Sequence, residues 1–129
     1  MKKAFFIIFS FFIYLSVWAA SRHSHLSVEI KIGTDMDDKT LVGQADQFSS
    51  QTSGVIGWTR ISGETGPTEI QHIWIFNGIE DSSKKLKIPS TPYRTYSWKS
   101  LKGKIGKWVL IVVDKNGKLI GSKEFEILK

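Results

Sequence analysis

Short stretches in which apolar and polar residues alternate run along most of the chain, and turn-forming residues interrupt them at intervals of about ten residues. Leu26 to Ile32 (LSVEIKI) mixes into an imperfect alternation, and Val55 to Ser62 (VIGWTRIS) is a second strand, closed by Gly63-Glu64-Thr65-Gly66-Pro67. Glu69 to Phe76 (EIQHIWIF) is the clearest strand, rich in β-branched and aromatic residues and stopped by Asn77-Gly78. Lys85 to Ile88 predicts a short strand between turns, with Pro89 and Pro92 beyond it, and Tyr93 to Lys99 (YRTYSWK) and Lys107 to Val113 (KWVLIVV) predict longer ones. Asn116-Gly117 readily takes the positive φ values of a tight hairpin, so Lys118 to Leu128 should fold back antiparallel on Lys107 to Val113. Gly33 to Ser53, rich in Asp, Gly, Gln and Ser, reads as a long connection with one short strand near Thr40 to Gly43. About seven short strands without a helical period predict an all-β, immunoglobulin-like antiparallel sandwich, with a small barrel as the alternative.

Upstream of this pattern the chain changes character. Lys2 and Lys3 precede an apolar run from Ala4 to Trp18, and small residues follow at Ala19-Ala20. Charged start, apolar middle and small-residue exit predict a secretory signal peptide over residues 1–19, cut after Ala19. The rival is an uncleaved anchor, because the run approaches the roughly 20 residues that span a bilayer. Residues 20–25 form a polar lead-in, and residues 26–129 remain for one domain, enough for a single two-layer core. Both readings of the leader place the domain in the periplasm or otherwise outside the cytoplasm, with a membrane tether only if the leader is kept.

The 129 residues include no cysteine, which excludes a disulfide framework, a thiolate metal site, a cysteine nucleophile and a lipoprotein anchor. Charge is uneven. Residues 20–81 carry nine acids against four basic residues, a net −5, and residues 82–129 carry twelve basic residues against three acids, a net +9. A basic half attracts anionic polymers, but a sandwich interleaves strands from both halves, so the two charges are expected to intermix in space.

The run Tyr93-Arg94-Thr95-Tyr96-Ser97, followed by Lys99, Gly106-Lys107-Trp108, Asp114-x-x-Gly117 and Phe125, is more specific. Upstream stand Val42-Gly43-x-Ala45 with Phe48, Trp58-Thr59, and His72-Ile73-Trp74. This ordered set, over roughly Val28 to Leu128, resembles the bacterial domain-of-unknown-function family 2914. Tyr93 and Tyr96 stand where that family often has tryptophan, and Trp58 where it often has phenylalanine. The resemblance implies an exported or membrane-tethered bacterial β-domain and assigns no activity, substrate or catalytic residue.

No catalytic constellation emerges. His72 is the only histidine inside the predicted fold, and no serine sits in a Gly-x-Ser-x-Gly elbow. Asp35-Met36-Asp37-Asp38 fails as a calcium loop, lacking glycine at the sixth position and glutamate at the twelfth. His23-Ser24-His25 offers two imidazoles, too few for a metal site, and reads as part of the polar lead-in. Trp98, Lys99, Lys102, Lys104, Lys107 and Trp108 interleave rings and lysines as single-strand binders do, yet an exported chain with three arginines is a poor nucleic-acid partner. The expectation is therefore a non-catalytic domain without cofactor, metal or nucleic acid.

Binding residues are expected on three strand faces. Period-two alternation puts Ile70, His72, Trp74 and Phe76 on one face of their strand, Arg94, Tyr96 and Trp98 on one face of another, and Ile56, Trp58 and Arg60 on one face of a third. If the three coincide, Arg60, His72, Trp74, Arg94, Tyr96 and Trp98 form a ring-and-guanidinium surface that grips carboxylate or phosphate and stacks on sugar. Against this, Trp58, Trp74 and Tyr96 are suited to the sandwich core, and Trp74 is expected there. Arg94 is expected to be a structural group with an internal partner. The partner expected first is another envelope protein; an anionic glycan or polymer is the alternative.

Overall fold

The computed structural model describes residues 25–63 and 66–129. The expected signal peptide, most of the lead-in and His23 lie outside the described residues. The described residues form ten strands: β1 (Ser27–Gly33), β2 (Asp35–Asp37), β3 (Thr40–Val42), β4 (Gln47–Ser49) and β5 (Gly54–Ser62). They continue with β6 (Thr68–Phe76), β7 (Ile79–Ile88), β8 (Tyr93–Ser100), β9 (Gly106–Asp114) and β10 (Leu119–Leu128). One sheet has the order β1-β5-β8, the other β4-β10-β9-β6-β7, and β2-β3 form a separate two-stranded ribbon. The result is an all-β sandwich.

Three features depart from the expectation of about seven antiparallel strands. First, β4 pairs with β10 in parallel, Phe48 opposite Ile127. Its three residues lie in the segment expected to be mostly connection, and they are held by the far end of the chain. Second, β2 and β3 make a hairpin that turns at Asp38, whose φ is 62°. Third, β7 begins at Ile79 rather than Lys85. Asn77 and Gly78, at φ 48° and 86°, form a tight turn of the primed kind that returns the chain antiparallel on β6. The hairpin at Asp114 to Lys118 was expected, but only Gly117 takes positive φ there. Asp114 Oδ1 accepts from the backbone N–H of Asn116 and of Lys118, closing a longer turn.

Alternation decides what each sheet buries. Ile70, His72 and Trp74 of β6, Trp108, Leu110 and Val112 of β9, and Phe125 and Ile127 of β10 face inward. Opposite them stand Val55 and Ile61 of β5 and Ile32 of β1, all in one buried cluster. Phe125 sits at its centre, stacked on Trp108 at 6.0 Å and edge-on to Trp74 at 6.2 Å and to Phe48 at 6.1 Å. Full burial of each such side chain is worth roughly 1.5–3 kcal/mol. Gly57 lies where β5 packs tightly against the other sheet: a Cβ there would fall 2.5 Å from Leu110 Cδ2 and 2.8 Å from Trp74 Cη2.

The two charge halves intermix as expected. Asp81 at the start of β7 pairs with Lys99 of β8 and, at 2.7 Å, with Lys104, which holds its carboxyl below the usual carboxylate range. Lys123 pairs with Asp46 at 3.2 Å.

Candidate functional site

Two of the three predicted faces coincide and the third does not. β5 and β8 run antiparallel with Ile56 opposite Trp98, Trp58 opposite Tyr96, and Arg60 opposite Arg94. All six therefore share the outer face of the three-stranded sheet. β6 belongs to the other sheet and turns His72 and Trp74 into the core, at 0% and 1% exposure. They cannot join Arg60, Arg94, Tyr96 and Trp98 on a binding surface. This corrects the expectation that His72 and Trp74 belong to the binding surface, and Trp74 takes the core place weighed against it.

The outer face is shaped by the β2–β3 hairpin. Leu41 packs over the Gly33 backbone at the end of β1, and Met36, Asp38 and Lys39 overhang β5 and β8. Between the hairpin and the sheet lies a groove of about 570 Å³, whose other walls are Trp58 and residues 92–96. A smaller hollow of about 160 Å³ adjoins it, lined by Lys31, Thr40, Leu41 and Gln44 and sharing Lys39, Trp58 and Arg94. Trp58 forms the floor, 7% exposed, with Lys31 Nζ 4.9 Å from its ring centroid. Tyr96 and Trp98 remain 49% and 55% exposed, which core residues would not be. Trp98 leans across Gly54, where a Cβ would come within 2.2 Å of its ring, so the absence of a side chain at 54 allows the ring to lie there.

Cations gather at one end of this face. Lys31 is shared with Glu29 at 3.6 Å. Among the described residues, no ion pair or hydrogen bond engages the side chains of Lys39, Arg60 or Arg94. Arg94 is exposed on β8 and lines both hollows, so the expected internal partner is not what positions it. A guanidinium left open beside a tryptophan floor can take a carboxylate or phosphate through two parallel hydrogen bonds.

His72 does something else. Its Nδ1 lies 2.7 Å from Ser97 Oγ and its Nε2 3.1 Å from Thr59 Oγ1, and Thr59 in turn donates to the Thr95 carbonyl at 3.3 Å. With the Thr59 proton committed to that carbonyl, Nε2–H donates to Thr59 and Nδ1 accepts from Ser97. The ring is thus a neutral tie from β6 to β5 and β8, and burial pushes its pKa down to about 4. A hydroxyl beside an imidazole resembles a nucleophile and base, but the third member is a threonine hydroxyl rather than a carboxylate, and the pair is sealed in the core.

The lysine–tryptophan stretch from Trp98 to Trp108 does not form one surface. Trp108 is in the core, and Lys99 and Lys104 converge on Asp81. The groove was missed because Met36, Asp38 and Lys39 sit on a three-residue strand and a turn within a polar connection. The scattered apolar residues of that segment, Leu41, Val42, Ala45 and Phe48, hint that it packs on something, and Leu41 is the one that seats the hairpin on Gly33.

No curated protein matches the chain. Among solved structures, the crystal structure of Se-Met labeled beta-glucosidase from Kluyveromyces marxianus is similar at a TM-score of 0.48 and 13% identity, over 83% of this chain and 14% of that one. Residues 67–127, which carry His72, Trp74, Arg94, Tyr96 and Trp98, match the family described as a protein of unknown function (DUF2914), the one the ordered motifs resemble, while Trp58 and Arg60 lie upstream of the match.

Proposed function

We propose that this chain is an exported, non-catalytic binding domain whose outer β1-β5-β8 face recognises an anionic glycan or polymer. The carrying observation is the groove that brings Arg94, Trp58 and Tyr96 together, with Arg60 beside Arg94 in the register of the same face. Guanidinium forks supply the anion contact and the rings supply stacking. The non-catalytic part is supported by the Ser97–His72–Thr59 tie, which spends the one core imidazole on joining the sheets.

Binding of polygalacturonate and of polyphosphate, measured from low to high salt, tests this. At least one should bind and weaken steeply as ionic strength rises, because exposed charge pairs are screened within about 10 Å at 0.1 M salt. Binding that ignores salt, or none at low salt, contradicts the proposal.

An envelope-protein partner keeps one observation in its favour. Ile73, Ile75, Val109 and Ile111, paired across β6 and β9, form a half-buried apolar stripe on the outer face of the five-stranded sheet. Capture of an envelope protein through that stripe would resist salt.

A further inference from the structure

Resting on the reading above, we infer that the groove takes an acidic sugar at the end of a chain, with its anion at Arg94 and neutral rings along Tyr96 and Trp98. The outer face is polarised along β8. At one end Lys39 and Arg94 line the hollows over the Trp58 floor beneath the hairpin, with Arg60 beside Arg94 in the register and Glu29 across from Arg60 on β1. Four residues further along the strand, roughly 13 Å away at about 3.3 Å per residue, the face is Trp98 against Ile56 and Gly54.

The cation nearest in sequence to that aromatic end is Lys99, and it points to the opposite face, where Asp81 and Ser82 hold it. Lys104 is held by the same carboxylate. A polyanion with a charge on every ring would therefore lay unpaired carboxylates over Tyr96 and Trp98. Such groups would lose water without gaining a partner. Neutral pyranose faces suit those rings instead, since an apolar sugar face stacks on an exposed aromatic. Asp38 at the wall of the groove adds a second filter, because it repels a further carboxylate on the anion's far side.

Three probes separate the possibilities in calorimetric titrations of the full chain at low salt. They are cellobiouronic acid (one terminal acid and one neutral ring), cellobiose, and the galacturonic acid trimer. The inference expects cellobiouronic acid to bind at least about tenfold more tightly than cellobiose and no more weakly than the trimer. In Arg94→Lys that preference over cellobiose should fall at least fivefold, and in Trp98→Ala both glucose-containing ligands should weaken together while the preference persists. A trimer that binds tenfold more tightly than cellobiouronic acid overturns end recognition and leaves the anionic-ligand reading standing. Equal binding of cellobiose and cellobiouronic acid, or no binding of any probe at millimolar concentration by a protein whose melt is cooperative, overturns both. Circular dichroism melts of each variant confirm that a lost preference is not lost fold.

Discussion

A lysine at position 94 would keep the positive charge at the groove and lose the planar fork of donors. Because Arg94 is exposed and no ion pair or hydrogen bond engages its side chain among the described residues, Arg94→Lys should leave stability within about 0.5 kcal/mol of the parent. Binding of an anionic ligand should weaken about tenfold, about 1.4 kcal/mol. A denaturant melt and a titration on the same sample check both halves. A clear loss of stability would instead return Arg94 to the internal role expected from its rarity among lysines. An internal role for Arg94 is a reasonable expectation from sequence. Sequence says that Arg94, Tyr96 and Trp98 share a side of a strand, but not whether that side faces core or solvent. The neighbouring strand misleads on this point, since its outer residues Ile56 and Trp58 are apolar and its inner ones include Gly57 and Thr59.

Elements with strong patterns were legible almost to the residue. Glu69 to Phe76 was predicted against an observed Thr68–Phe76, and Tyr93 to Lys99 against Tyr93–Ser100. The elements that escaped share a physical cause, which is that they are short or polar and carry no apolar alternation of their own. β4 is three residues paired in parallel with the end of β10. The first half of β7 reads IEDSSK, polar because it lies on an edge strand with little to bury. Gly57 shapes the contact between the sheets, since its missing side chain lets β5 approach Trp74 of β6 and Leu110 of β9. Gly57→Ala drives a methyl toward the Trp74 ring, which is itself braced by Phe125. Overpacking of this kind should cost about 1–3 kcal/mol, read as a lower denaturant midpoint at unchanged slope. A variant as stable as the parent would show that Leu110 and Trp74 leave room for a methyl at position 57.

At the scale of the whole molecule, His72 ties the two sheets together and makes stability depend on pH. Its folded pKa is about 4 against 6.5 when unfolded. Between those values the unfolded chain binds a proton that the folded one refuses, so stability falls as pH drops through 6.5 toward 4. At 1.36 kcal/mol per unit the loss is roughly 3 kcal/mol, complete near pH 4. Asp81, whose pKa is lowered by Lys104 and Lys99, acts in the same direction at lower pH: its contribution is present above about 3.8 and fades beneath it. His72→Leu removes the first effect and leaves the Ser97 hydroxyl without its acceptor. That variant should be about 1–3 kcal/mol less stable at pH 7 yet lose less between pH 6.5 and 4. Melts across that range decide it, and a parent whose stability is flat over the window would contradict the buried neutral imidazole.

The same division between inner and outer faces places the tryptophans so that one spectrum can report on which face binds ligand. Trp58 and Trp98 lie on the outer face of the three-stranded sheet, whereas Trp74 and Trp108 lie in the core, Trp108 with its Nε1–H donating to the Lys104 carbonyl at 3.2 Å. Titrating the isotope-labelled protein with cellobiouronic acid should therefore shift the indole signals of Trp58 and Trp98, together with the backbone amides of residues 94–98 and Lys39. Trp74, Trp108 and the amides of Ile73, Ile75, Val109 and Ile111 should stay in place. Shifts confined to that second group, or no shift at any of the first at millimolar ligand, would contradict the assignment of the binding face.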